Sequence, residues 1–151
     1  MSATANWFGT PVKAYFGATA TDKVDWVNDT INVAILSSAA TITQDTNQYW
    51  SDLSANEVTG TGYSAGGVAL GTKTLTYDAA SNTVRLKAAD TVWNPVTFTN
   101  GRYAIVYKST GTASTSPLMG WVDFGANQSP AAVSFTISWD PTDGVLRALV
   151  S

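Results

Sequence analysis

Beyond residue 67 the hydrophobic and polar positions of this chain fall into short runs with a period of two, the spacing of strands with one buried face. Residues 68–77, VALGTKTLTY, set Leu70, Thr72, Thr74 and Thr76 against Ala69, Gly71, Lys73, Leu75 and Tyr77. A turn at residues 78–82 leads to a second run, in which Val84, Leu86 and Ala88 alternate with Arg85, Lys87 and Ala89, so the two runs predict a hairpin. Asn94-Pro95 interrupts the run at residues 92–98, and a proline with no N–H to give confines that strand to an edge or splits it. Residues 102–109, RYAIVYKS, place Tyr103, Ile105 and Tyr107 on one face and Ala104, Val106 and Lys108 on the other, the pattern expected of a central strand. A small-residue loop (110–117), a strand (118–124) and a turn (125–130) follow. Val133, Phe135, Ile137 and Trp139 then alternate with Ser134, Thr136 and Ser138, and the turn Asp140-Pro141-Thr142-Asp143-Gly144 opens the last strand, 145–150.

The first half is less regular. Thr10 before Pro11 suggests a short N-terminal helix that Gly17 ends, or else an extended arm in which Trp7 and Phe8 pack onto another subunit. Residues 25–29, DWVND, read as a turn into a strand at 31–36. Tyr49 and Trp50 anchor a short helical turn with Asp45 or Thr46 as its cap. Ser54 and Glu57 have capping-box spacing and, with glycines following, read as a local clasp. Gly60, Gly62, Gly66 and Gly67 then suit backbone angles that other residues resist. About eight short strands with one or two helical turns argue for an all-β fold, an antiparallel β-sandwich, with an N-terminal arm or short helix at residues 1–24 and one sandwich domain at 25–151.

Composition narrows what such a fold can do. The 151 residues suffice for one domain with its own core. There is no cysteine for disulfides or thiolate metal sites, and no histidine for a hydrolase triad or a pH switch. Eight basic residues, scattered singly, against eleven acidic ones give a net charge of −3 and argue against nucleic-acid binding. No apolar run approaches a membrane span, and the N-terminus lacks the pattern of a signal peptide, so a soluble, untrimmed chain is expected. Only 13% of residues are charged, fewer than a free cytosolic monomer usually carries and consistent with life in an assembly.

Six tryptophans raise the possibility of a sugar platform, with Trp93, beside Asn94-Pro95, and Trp121 as the rings most open to exposure and Trp139 as core. Asp52 with Glu57, and Asp78 with Asp90, are the nominal carboxylate pairs for a glycosidase, yet most of the acidic residues occupy turns or caps. The Asp22, Asp25, Asn28, Asp29 group and the Asp140, Asp143 turn lack the ligand series of a calcium loop, and residues 60–67 lack the lysine of a phosphate loop. Neither a cofactor, a metal nor a catalytic residue is therefore expected.

Four blocks carry a resemblance: VDWVNDTINVAIL (24–36), WSDLSANEVTGTGYSAGG (50–67), RYAIVYKSTGTASTSPLMGWVDFG (102–125) and the terminal FTISWDPTDGVLRALV. In that order they resemble a family of small virion structural proteins of tailed bacteriophages, over most of the chain from about Asp25 onward. The resemblance implies a head decoration or accessory subunit, made in the bacterial host cytoplasm and located in the virion. The major capsid protein or other virion proteins would be its partners, and capsid symmetry would favour a homo-oligomer such as a trimer. No catalytic residue belongs to the family pattern. Such a subunit would hold capsomers through about 800 Å² or more per partner and a few aromatic anchors. Trp7 and Phe8 are the first candidates, Trp50 and Tyr63 the next, although the latter two also suit pinning their own loop. The alternative is a tail- or fibre-associated adhesin that grips host glycans through Trp93 and Trp121.

Overall fold

The computed structural model describes residues 2–150 and is all-β, with eleven strands and a single short α-helix among the described residues. The strands are β1 (Ser2–Ala3), β2 (Asn6–Trp7), β3 (Ile31–Ser37), β4 (Val68–Ala69), β5 (Thr74–Asp78), β6 (Thr83–Lys87), β7 (Thr91–Val96), β8 (Gly101–Lys108), β9 (Leu118–Gln128), β10 (Val133–Trp139) and β11 (Leu146–Leu149). Helix α1 spans Gly9–Tyr15. Five strands form one sheet in the order β2-β9-β8-β3-β4, with β8 at its centre as the sequence predicts. Two three-stranded sheets, β1-β10-β7 and β11-β6-β5, share a core with its inner face. The predicted β5–β6 hairpin forms, with Leu75 opposite Leu86 and Tyr77 opposite Val84. Pro95 lies in β7, an edge strand, where its missing N–H removes no ladder bond on the open side.

The five-stranded sheet is buried on both faces, because its strands carry apolar residues at successive positions. In β3, Ile31, Val33 and Ile35 join the large core, while Ala34 and Leu36 join a second cluster on the opposite face. In β8, Ala104 and Val106 go one way, Ile105 and Tyr107 the other. Trp93, Val96, Phe98, Ile137 and Trp139 complete the large core from the facing sheets. Phe8, Trp50 and Leu53 close the second cluster from segments outside the sheet.

Several expectations need correction. The N-terminal segment is neither a free arm nor separate from the sandwich. β1 runs parallel to β10, β2 pairs antiparallel with β9, and Ala3, Ala5 and Phe8 are buried. Apolar side chains at alternate positions, 3 and 5, made that segment a strand in waiting. Helix α1 does form, but its cap residue is Phe8, and the Thr10 hydroxyl donates to the Asp45 carbonyl instead of capping. The run 68–77 is broken into β4 and β5 because Thr72 takes a left-handed backbone conformation (φ 48°). The run at 118 continues to Gln128, through the turn expected at 125, because Gly125 (φ 76°) lets the strand bend without ending.

Near Trp50 the chain makes two 3-10 turns, Trp50–Asp52 and Ser54–Asn56. The N-cap of the first is Tyr49, not Asp45 or Thr46, and Asp52 reaches back so that its carboxylate accepts the N–H groups of Gln48 and Tyr49. Gly67 has φ 74°, and a side-chain carbon there would stand 1.8 Å from the Val33 carbonyl oxygen, so both angle and space demand glycine. Gly60 is needed for space alone, since a Cβ would meet the Thr97 carbonyl oxygen at 1.8 Å.

Candidate functional site

Two concave surfaces stand out, one apolar and one polar. The apolar one is a groove of about 500 Å³ between α1 and β11, lined by Trp7, Val12, Tyr15, Phe16, Ala148 and Leu149 among others. Val12 and Tyr15 fall at i and i+3 on one face of the short helix, and Phe16, its C-cap residue, follows directly beside them. Trp7 is fixed at the groove by its indole N–H, which donates to the Arg147 carbonyl at 2.6 Å. Tyr15 is held by its hydroxyl, which donates to the Leu118 carbonyl, and burial pushes that phenol well above its ordinary pKa, so it stays a neutral donor. Phe16 and Leu149 at the rim remain 87% and 72% exposed. Arg147 borders the groove with its charge paired to Asp143 at 2.7 Å.

The polar surface is a cleft of about 330 Å³ lined by Trp50, Glu57, Ala65 and Gly66 of the block 50–67 and by Asn32 and Tyr107, among others. Glu57 Oε1 accepts hydrogen bonds from the Tyr63 hydroxyl and the Gly66 N–H, both at 2.8 Å, rather than clasping Ser54. The predicted Ser54–Glu57 contact exists only in the backbone, where the Glu57 N–H donates to the Ser54 carbonyl. Burial raises the Glu57 carboxyl above the usual range, while the Tyr63 and Gly66 hydrogen bonds draw it part of the way back. The Gly66 carbonyl accepts from the Tyr107 hydroxyl at 2.8 Å and the Asn32 amide at 3.2 Å. Tyr107 in turn stacks on Trp50, with ring centroids 4.7 Å apart and planes 4° from parallel.

Of the four aromatic anchors read from the sequence, only Trp7 borders the apolar groove. Phe8, the second of them, is fully buried beneath β3 and β8 because the helix entry turns it inward. Trp50 is 6% exposed and pins its loop to the sheet through Tyr107. Tyr63 packs against the core between Trp93 and Phe98, and its hydroxyl also accepts the Ile35 N–H at 2.8 Å. Trp93 is not exposed: it is 3% accessible, because β7 turns it inward against Tyr63 and Phe135. Trp121 is half-buried against the second cluster.

Most of the acidic residues are engaged by backbone groups, hydroxyls or ion pairs. Asp78 holds Arg85 at 2.7 Å, an interaction that pulls its carboxyl down to about 2, and Asp90 accepts from Ser138 and from the Trp139 N–H. Asp25 folds its own turn by accepting from Val27 and Asn28. Asp140 does the same with Thr142 and Asp143. Among the described residues no three carboxylates gather as a metal-binding group, and no helix is long and apolar enough to cross a membrane.

The groove residues Val12, Tyr15, Phe16 and Leu149 were missed as interface candidates, although the i, i+3, i+4 spacing after Pro11 was the signal that could have found three of them. Comparison of the chain with protein-family models, curated proteins and solved structures finds no match.

Proposed function

We propose that the protein is a structural subunit of a phage virion, a decoration or cement protein that attaches to the capsid through the groove between α1 and β11. The observation that carries this reading is Phe16, an aromatic ring almost wholly in water beside a groove whose lining is apolar. A large ring left in water gives up roughly 1.5 to 3 kcal/mol that burial would return, which makes it an anchor for a partner surface. Scarce charge and the four-block resemblance to virion structural proteins favour the same reading. In mechanism, such a subunit adds buried area across capsomer junctions, so that pressure from the packaged genome has more interface to separate.

The test is co-sedimentation with capsids stripped of accessory proteins. The native chain should bind in a saturable way, and Phe16→Ser with Leu149→Ser should lose at least about tenfold in affinity while melting within a few degrees of native. Equal binding by the double variant would remove the groove from the attachment surface. The adhesin alternative loses Trp93 as a platform, since stacking on a sugar needs an accessible ring face.

A further inference from the structure

Two acceptors of the polar cleft have unfilled hydrogen-bonding capacity. Asn32 Oδ1 is buried and has no partner. The amide cannot simply be turned over, because its nitrogen donates to both the Gly66 carbonyl and the Tyr107 oxygen, and a reversed amide would set oxygen against oxygen. At Glu57 only Oε1 is engaged by the protein, and none of the ion pairs among the described residues involves this carboxylate. Three of the neighbouring donors are already committed: the Gly66 N–H to Glu57, the Tyr107 hydroxyl to Gly66, and the Ser116 hydroxyl to the Thr112 carbonyl.

A half-buried carboxylate without a counter-charge and an orphaned amide oxygen thus belong to two residues, Glu57 and Asn32, that line one cleft with Trp50 and Tyr107. A guest that satisfies both of these acceptors donates hydrogen bonds, and a positive charge would also neutralise Glu57. A neutral sugar supplies donors but leaves the charge uncompensated, and an anion is repelled.

We propose that this cleft binds an organic cation of the guanidinium or alkylammonium class, as an arginine or lysine side chain of a partner protein presents it, held by Glu57 and Asn32 against Trp50 and Tyr107. The cation would hydrogen-bond to Glu57 Oε2 and Asn32 Oδ1, and the methylenes of its stem would lie along the aromatic wall. This site is distinct from the groove at Phe16, so either can fail while the other stands.

The experiment is a titration followed by amide and indole NMR shifts, using N-acetyl-arginine methylamide and N-acetyl-lysine methylamide as probes. N-acetyl-citrulline methylamide, which keeps the shape of arginine without its charge, and methyl glucoside serve as neutral comparators. The expected result is saturable shifts at Gly66 and the Trp50 indole with at least one cationic probe, and at least about tenfold weaker binding of citrulline. Glu57→Gln, which retains an oxygen for Tyr63 and Gly66, should weaken the cation by a similar factor. Should that variant melt far below the native protein, Ala65→Phe replaces it, since it narrows the rim at an exposed position without touching these hydrogen bonds. No saturable shift, equal binding of citrulline or glucoside, or unchanged affinity in a folded variant would each overturn the assignment.

Discussion

Phe8 and Phe16, eight positions apart, have opposite roles, and the difference is measurable. Phe8 lies fully buried beneath the five-stranded sheet, so Phe8→Ala should cost about 3 to 5 kcal/mol in denaturant unfolding, the range for deleting a core aromatic. A loss below about 1 kcal/mol would mean that the segment is not docked as described. Phe16 makes no such contribution, and its removal should leave the midpoint almost unchanged. Glu57 offers a second test at this scale. Its carboxyl holds a proton to higher pH in the folded protein than in the unfolded chain, since burial outweighs the Tyr63 and Gly66 hydrogen bonds. A group raised in this direction lowers stability as pH climbs through the interval between its ordinary and its folded value, and the cost is complete above that interval. Glu57→Gln should therefore gain on the native protein in melting temperature between pH 4 and pH 7, and a constant difference across that range would contradict the account.

Among the elements, the N-terminal strands contribute most beyond their length. β1 and β2 have two residues each, yet β1 extends β10 and β2 extends β9, so one short segment ties the two sides of the sandwich together. The Ala5 N–H donates to Val145 and the Asp140 N–H to Ala3, linking the same segment to the start of β11 as well. Removing residues 1–8 should consequently destabilise the whole molecule by several kcal/mol, with loss of its cooperative melt, rather than release an intact domain. A truncated chain that melts like the native one by circular dichroism would restore the view of residues 1–24 as an arm separate from the sandwich. The β5–β6 hairpin stands at the other extreme. Leu75 and Tyr77 on β5 stay exposed although their cross-strand partners Leu86 and Val84 face the core, because the edge strand reaches past the core it would cover.

For the molecule as a whole, the distribution of apolar surface bears most on function. With a net charge of −3 and only 13% charged residues, long-range steering is weak, and contact must depend on shape and apolar area. If the groove at Phe16 attaches the subunit to a capsid, attachment should persist when salt rises from physiological to about 1 M, where screening reaches within about 3 Å. A steep loss over that range would point instead to charged contacts. Cation binding at Glu57 should show the opposite dependence, weakening with salt in the isolated protein, so one titration separates the two surfaces.

Local pattern is enough to place the strands whose periodicity is unambiguous: β3, β6, β8, β10 and β11 lie where alternation and turn residues put them, and the all-β class follows. It also determined which turns are folded by their own side chains, as at Asp25 and Asp140, because those hydrogen bonds span only two or three residues. Tertiary structure decided everything that depends on a partner distant in the chain. Tyr63 and Gly66 claimed Glu57 from Ser54, a core formed by Tyr63 and Phe135 drew Trp93 inward, and β9 and β10 converted an apparent arm into two strands. Periodicity records which face of an element is apolar, but not what covers that face. Phe8 and Phe16 look alike in the sequence for this reason, and only the packing of the sheet beside α1 buries one and leaves the other in water.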